Sequence, residues 1–200
     1  TTTTPGEHTV AISSVDYADG FDVVIASMLA EKIGMEVQIV KLDWDNLIPS
    51  LQHDQIDAVI AGMTDTPVRR EVVDFTTPYY VSEEVVIVRK DGPVANINSI
   101  SELGGFRVQG QMNTIYDDII DQIEGVNHVT AMTDFPSMRV ALESGIIDGY
   151  VSERPEGISA AAANSAFAYV GFAVEDGFQY EINDAAIAMG IKKDSALTAE

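Results

Sequence analysis

The feature that most constrains this chain is an alternation of short strand-like apolar runs with longer runs at helical spacing. Strands separated by helices imply βαβ units, since a parallel neighbour is reached only through a crossover. Residues 9–15 read as a first strand. Residues 21–33 follow with Val24, Ile25, Met28, Leu29 and Ile33 on one helical face. Asp19 or Asp22 can cap that helix, and Gly34 supplies its stop. Strands are expected at 36–40 and 56–61, with a short helix over 46–52 between them. The alternation resumes with strands at 85–90, 106–109, 128–132, 147–151, 166–171 and 185–192. Helices are expected over 114–123, 137–143 and 155–163, and Ser99 with Glu102 forms a capping box.

Two polar breaks interrupt this order, near 90–98 and 175–184. A chain that crosses twice between two lobes produces this layout. Lobe one is expected over 1–89 plus 185–200 and lobe two over 93–174, with hinge segments near 90–92 and 175–184. The predicted fold class is α/β with two lobes, each a mostly parallel sheet flanked by helices. Two hundred residues suffice to bury a core in this form.

Charge narrows the partners. Thirty-two acidic against eleven basic side chains give a formal net charge of −21. Phosphate neutralisation needs clustered Lys and Arg, so no nucleic-acid partner is expected. Most of the acids are expected on solvated surface, which suits a high-salt extracellular setting. The absence of Cys removes disulfides, thiolate metal sites and Cys nucleophiles. His8, His53 and His128 are scattered, so no metal and no cofactor is expected, and all three read as surface residues. No apolar run is long enough to span a membrane. The opening Thr1–Thr4 reads as a linker or tail.

Four segments then carry a resemblance. Gly20-Phe21-Asp22-Val23, Ile56 to Thr64, Arg69, and Val73-Asp74-Phe75-Thr76-Thr77-Pro78-Tyr79-Tyr80 occur in this order and spacing. They resemble the solute-binding proteins of polar amino-acid ABC importers, bacterial extracellular solute-binding family 3, with the type II periplasmic-binding-protein fold. The resemblance implies two lobes that close by hinge motion over a free amino acid, and delivery to a membrane permease. It implies a monomeric, non-catalytic receptor outside the cytoplasmic membrane, tethered in some relatives by an upstream lipid anchor. The alternatives on the same fold are an arogenate dehydratase-like enzyme and the sensing domain of a larger receptor.

An amino acid is a zwitterion, so its receptor needs a cation and N–H donors for the carboxylate and an anion for the ammonium. Arg69 is the best carboxylate partner, because a guanidinium fork matches two oxygens. Gly62, Met63 and Thr64 lie at the C-terminal end of a strand, where open α/β sheets bind ligands. The resemblance places Gly62, Thr64 and Arg69 on the ligand's α-groups. It places Glu153 on the ammonium, where the family has Asp; Ser152 is expected to assist the longer side chain. Asp148 reads as structural. Asn113 and Thr114 open a helix whose amides suit a carboxylate, at a place where the family has Gly-Thr. Gln111 aligns with a side-chain contact. Trp44, the sole Trp, aligns with an aromatic that stacks on the ligand, and Tyr17 with one that lines the pocket. Compared with the family the chain is short between the first strand and Gly20 and after the last strand. An acidic chain with Glu153, Asp16 and Asp19 favours a basic or polar amino acid, with arginine, lysine or histidine ahead of glutamine or cystine.

Overall fold

A computed structural model describes residues 2–180 and 185–195. Residues 1, 181–184 and 196–200 lie outside the described residues, and the hinge segment expected near 175–184 falls partly on them. In chain order the elements are β1 (Val10–Ala11), β2 (Tyr17–Ala18), α1 (Phe21–Ile33), α2 (Leu47–Gln52), β3 (Ala58–Val59), α3 (Pro67–Arg70), β4 (Val73–Phe75) and β5 (Tyr80–Val81). They continue with β6 (Glu84–Arg89), β7 (Arg107–Gln109), α4 (Ile115–Asp118), β8 (Asn127–His128), α5 (Phe135–Glu143), β9 (Gly149–Glu153), α6 (Arg154–Ala163), β10 (Phe167–Val170), β11 (Ala186–Ile187) and β12 (Gly190–Lys192). Short 3-10 turns occupy Trp44–Asn46, Ile100–Leu103 and Ile119–Gln122.

The chain divides into two compact units, Thr1–Tyr80 with Ala186–Glu200, and Val81–Ala185. Residues 81–89, expected in lobe one, fall in the second unit. Strand β6 explains this, because it pairs with β9 and β10 of that unit along its length.

The second unit holds a five-stranded sheet in the order β10-β6-β9-β7-β8. Strand β7 is parallel to β8 and to β9. Strand β6 is antiparallel to both β9 and β10. The four strands joined through helical segments therefore run one way, and β6 alone is inserted against them. The expected parallel direction holds for the crossover strands, while half of the pairings are antiparallel. Alternate residues of β6 face two cores. Val86 and Val88 pack with Leu103, Val108, Ile120 and Val151 on one side. Val85 and Ile87 pack with Met138, Leu142, Ile147, Tyr150 and Phe167 on the other. Burial on both faces is why the strand reads as a continuous apolar run. Each fully buried Val or Ile here contributes about 1.5–3 kcal/mol.

The first unit repeats the arrangement on a smaller scale. Strands β3 and β4, joined through α3, flank an antiparallel β12. Leu51, Val59, Met63 and Val73 form its core, with Trp44, Leu47, Ile48, Ile56 and Phe75 packed against it. Helix α1 ends at Gly34 in the left-handed conformation, φ 72°, as expected. It buries Ala30, and Met28 is exposed rather than on a covered face. Its N-cap is Gly20, with no side-chain cap from Asp19 or Asp22.

The first strand and the strand at 36–40 are corrected. Two residues, Val10–Ala11, pair, and they pair with Tyr17–Ala18 in a separate small sheet. Residues 36–40 form no strand. A segment becomes a strand only by completing a ladder with a neighbour, and residues 36–40 pair with none of the described strands. The helix expected over 114–123 is likewise divided into α4 and the turn Ile119–Gln122, and the strand at 128–132 shortens to Asn127–His128.

Candidate functional site

In the first unit the candidate residues gather at the end of β3. Gly62 adopts φ 61°, a backbone region that glycine enters without steric cost, and this turns the chain out of the strand. Met63 then points inward. Its side chain is 2% exposed and part of the core, and its carbonyl accepts the Ala188 N–H at 3.0 Å. The ligand contact expected of Met63 is therefore not available to its side chain. Thr64 is buried and bridges to Ile187. Thr66 caps α3, its hydroxyl accepting the Arg69 N–H at 3.3 Å, and Pro67 stands in the first turn.

This cap orients Arg69. Its Nη1 donates to the Thr64 carbonyl at 2.8 Å, and its guanidinium carbon lies 5.4 Å from the centroid of the Trp44 ring. One donor and one face of the fork are thus fixed by the protein, an arrangement in which Arg holds a planar anion well. Neighbouring Arg70 is turned away and pairs with Asp65. Trp44 packs on the Leu51–Val73 core and carries Arg69 over its ring. Tyr17 sits apart in the small β1–β2 sheet, half-buried and paired with Ala11.

In the second unit the candidates lie at the C-terminal ends of the adjacent parallel strands β7 and β9. Gln111 and Thr114 are both buried. The Gln111 amide donates to the Thr133 carbonyl at 2.9 Å, and the Thr114 hydroxyl donates to the Gln111 carbonyl at 2.7 Å. These two side chains therefore shape the loop rather than present their donors outward. Asn113 adopts φ 60°, a left-handed conformation that Asn tolerates, and so fits a place where the family carries Gly. Gly110 is required by close approach: a Cβ there would lie 2.5 Å from the Asp117 Cα.

Glu153 ends β9 and occupies the N-cap position of α6 without bonding the helix amides. Its carboxylate is partly exposed. Ser152 cannot assist it. It is fully buried and pairs across from Val85 on the opposite face of the sheet. Asp148 is structural as expected: Arg107 donates to it from Nε, Nη2 and the backbone N–H, with Arg89 at 3.8 Å. Burial works against the charged form, but these donors hold its carboxyl below the usual range.

Four features escaped the sequence reading. Asp22 turns into the first unit, where burial raises its pKa against the Tyr79 hydroxyl at 2.9 Å and the Gly62 N–H. Glu84, directly across from Glu153, is 6% exposed. Burial lifts its pKa to about 7, opposed by a hydrogen bond from Tyr180. Burial, then the same bond, pushes Tyr180 up to about 12. His128 is no plain surface residue, since its ring nitrogens lie 2.9 Å from Asp117 and 2.8 Å from Asp121. Glu84 had left a signal, a carboxylate opening an otherwise apolar strand; the others pair residues distant along the chain or on different elements.

Residues 10–197 match the profile of the bacterial extracellular solute-binding proteins, family 3. Among curated relatives, the arginine-binding extracellular protein ArtP of Bacillus subtilis is 37% identical over 99 residues, covering 50% of this chain and 38% of that protein. A probable histidine-binding protein of Campylobacter jejuni is 29% identical over 150 residues, covering 70% of this chain and 57% of its own length. The chain spans about half the length of the curated relatives it matches. Among solved structures, a truncated arginine-bound ArgBP from T. maritima superposes with a TM-score of 0.75 at 26% identity, over 94% of this chain and 84% of that one. An ancestral arginine-binding protein bound to glutamine gives 0.77 at 26% identity, over 95% and 80%.

Proposed function

We propose that this chain, which belongs to the bacterial extracellular solute-binding proteins of family 3, binds a free basic or polar amino acid and delivers it to the permease of an ABC importer. The observation that carries this reading is Arg69, held by the Thr64 carbonyl and laid over Trp44 at the end of β3. A guanidinium is a planar fork whose N–H groups match the two oxygens of an α-carboxylate. Glu153, a partly exposed acid at the end of β9, takes the α-ammonium. The Gly62–Thr64 loop and the Asn113 turn supply backbone to the same α-groups. Trp44 presents an apolar and π-rich wall to the ligand's side chain.

A basic side chain is favoured. The chain carries a net charge of −21, and relatives of this chain are named for arginine and histidine. The protein acts as a monomeric receptor outside the cytoplasmic membrane, without catalysis and without nucleic acid, tethered through an upstream lipid anchor. Among the described residues, no helix is long and apolar enough to cross a membrane. Isothermal calorimetry against each of the twenty amino acids tests the reading. A basic amino acid is expected to bind more tightly than about millimolar, and no heat from any of them at that level overturns it.

A further inference from the structure

Two acids meet across the sheet of the second unit. Glu84 opens β6, Glu153 ends β9, and the two are direct cross-strand partners. The next pair outward is tied by the Arg154 N–H donating to the Glu83 carbonyl. Antiparallel pairs alternate, so Glu84 and Glu153 form a non-hydrogen-bonded pair, the kind whose side chains share one face and come closest. Glu84 is buried, and its Oε2 has no hydrogen-bond partner among the described residues. The Ser82 hydroxyl, two residues earlier, is likewise buried and without a partner among them. Such oxygens are costly to leave unmet, and they mark a place where a proton or a cation is to be supplied. The adjacent basic side chain does not supply it. Arg154 lies with Glu83 on the opposite face, where the two pair and the guanidinium is laid over the Tyr169 ring.

We infer that Glu84 and Glu153 act as one acid pair at the ammonium site: the free protein holds a single proton between them, and capture of the ligand's ammonium expels that proton to solvent. This rests on Glu153 as the ammonium partner. Two carboxylates side by side do not both ionise readily, and the more buried one keeps the proton. That one is Glu84, which burial already lifts to about 7. A cation on Glu153 removes the repulsion between the two acids and attracts the second charge, so Glu84 ionises as the ligand is taken up. The titratable and charged groups around Glu84 are Glu153 on β9, Glu83 with its partner Arg154 on the other face, and Tyr180, which packs against the same core.

The test uses the full chain, wild type and Glu84→Gln, with L-arginine titrated at about pH 6.5 in phosphate and in MOPS, buffers that take up protons with different heats. Wild type is expected to expel most of one proton per arginine bound, read as a buffer-dependent heat, and Glu84→Gln almost none. At about pH 8, Glu84→Gln binds arginine about tenfold or more weakly than wild type, which matches a fall of one unit or more in the pKa of Glu84 on capture. The gap closes towards about pH 6, where wild type must give up its proton to bind, and a merely structural role gives no such convergence. Arginine binding by wild type with the same heat in both buffers overturns the inference and leaves the proposed function standing. Equal proton release from Glu84→Gln overturns it as well. If wild type binds no amino acid, the proposed function fails. In that case, or if Glu84→Gln does not fold, carboxyl NMR of the ligand-free protein decides. A carboxyl that titrates near neutral and moves to lower pH in Glu153→Gln supports the shared proton, and one that does not move overturns it.

Discussion

Arg69 is constrained more than an exposed arginine needs to be. The Thr64 carbonyl, the Trp44 ring and the Thr66 cap each remove a degree of freedom from it. Arg69→Lys keeps the charge and loses the planar fork, so ligand affinity is expected to fall about tenfold or more, read by calorimetry. Glu84 shows the opposite economy. Its folded pKa of about 7 exceeds the ordinary value of 4.5, so folding takes up a proton and stability falls as the pH rises through that window. Glu84→Gln is expected to stabilise the protein by about 3 kcal/mol above pH 8 and by nearly nothing below pH 4.5, measured by urea unfolding at each pH. A flat difference across that range counts against a buried, strained carboxylate.

At the scale of elements, α4 is the telling case. Four residues long, it is held by the close approach of Gly110 and by His128, whose ring nitrogens face two carboxylates. Carboxylates only accept, so both nitrogens must carry protons, and the imidazolium is the form that fits. Burial lowers the imidazole pKa, but Asp117 and Asp121 outweigh it and raise it above 6.5. A raised folded pKa gives stability that is complete below 6.5 and lost as the pH rises through the folded value. His128→Gln is expected to cost about 1 kcal/mol or less near pH 6, since the ring is 27% exposed and screened, and nothing near pH 9. Thermal melts at the two pH values check it.

The same element shows where sequence reasoning stops. Its N-terminal residues, Asn113 and Thr114, were legible from helix-start chemistry, and the Ser99–Glu102 capping box formed as read. The break after Asp118 was not, because Ile119, Ile120 and Ile123 keep an apolar pattern that suits a helix or a tighter turn equally. Strand 36–40 failed for a related reason: alternation predicts a strand, but a strand needs a paired neighbour, and pairing is tertiary information. Arg69 was legible through its spacing from β3. Asp22, Tyr79 and Glu84 were not read as site residues because their roles depend on partners that local pattern does not pair.

For the whole molecule the charge sets the behaviour. Among the described residues, the buried carboxylates are Asp65, Glu84 and Asp148, paired with Arg70, Tyr180 and Arg107. The remaining acids repel one another across the surface and weaken the folded state at low salt. Raising NaCl from about 0.01 M to 1 M shortens the screening length from about 30 to 3 Å. The melting temperature is expected to rise by about 2–4 °C for each kcal/mol of repulsion removed. A midpoint that does not move with salt would show that self-repulsion is not limiting.

The reversed strand of each sheet also dictates an order of events during synthesis. In the second unit, β6 leaves the ribosome before the strands it separates, so that sheet can be finished as soon as β10 emerges. In the first unit the reversed strand is β12, which lies between β3 and β4 yet is made more than a hundred residues after them. A nascent chain halted at residue 185 therefore carries all five strands of the later-made sheet and an earlier-made one still missing its middle. The part of the protein that bears Arg69 is started first and completed last.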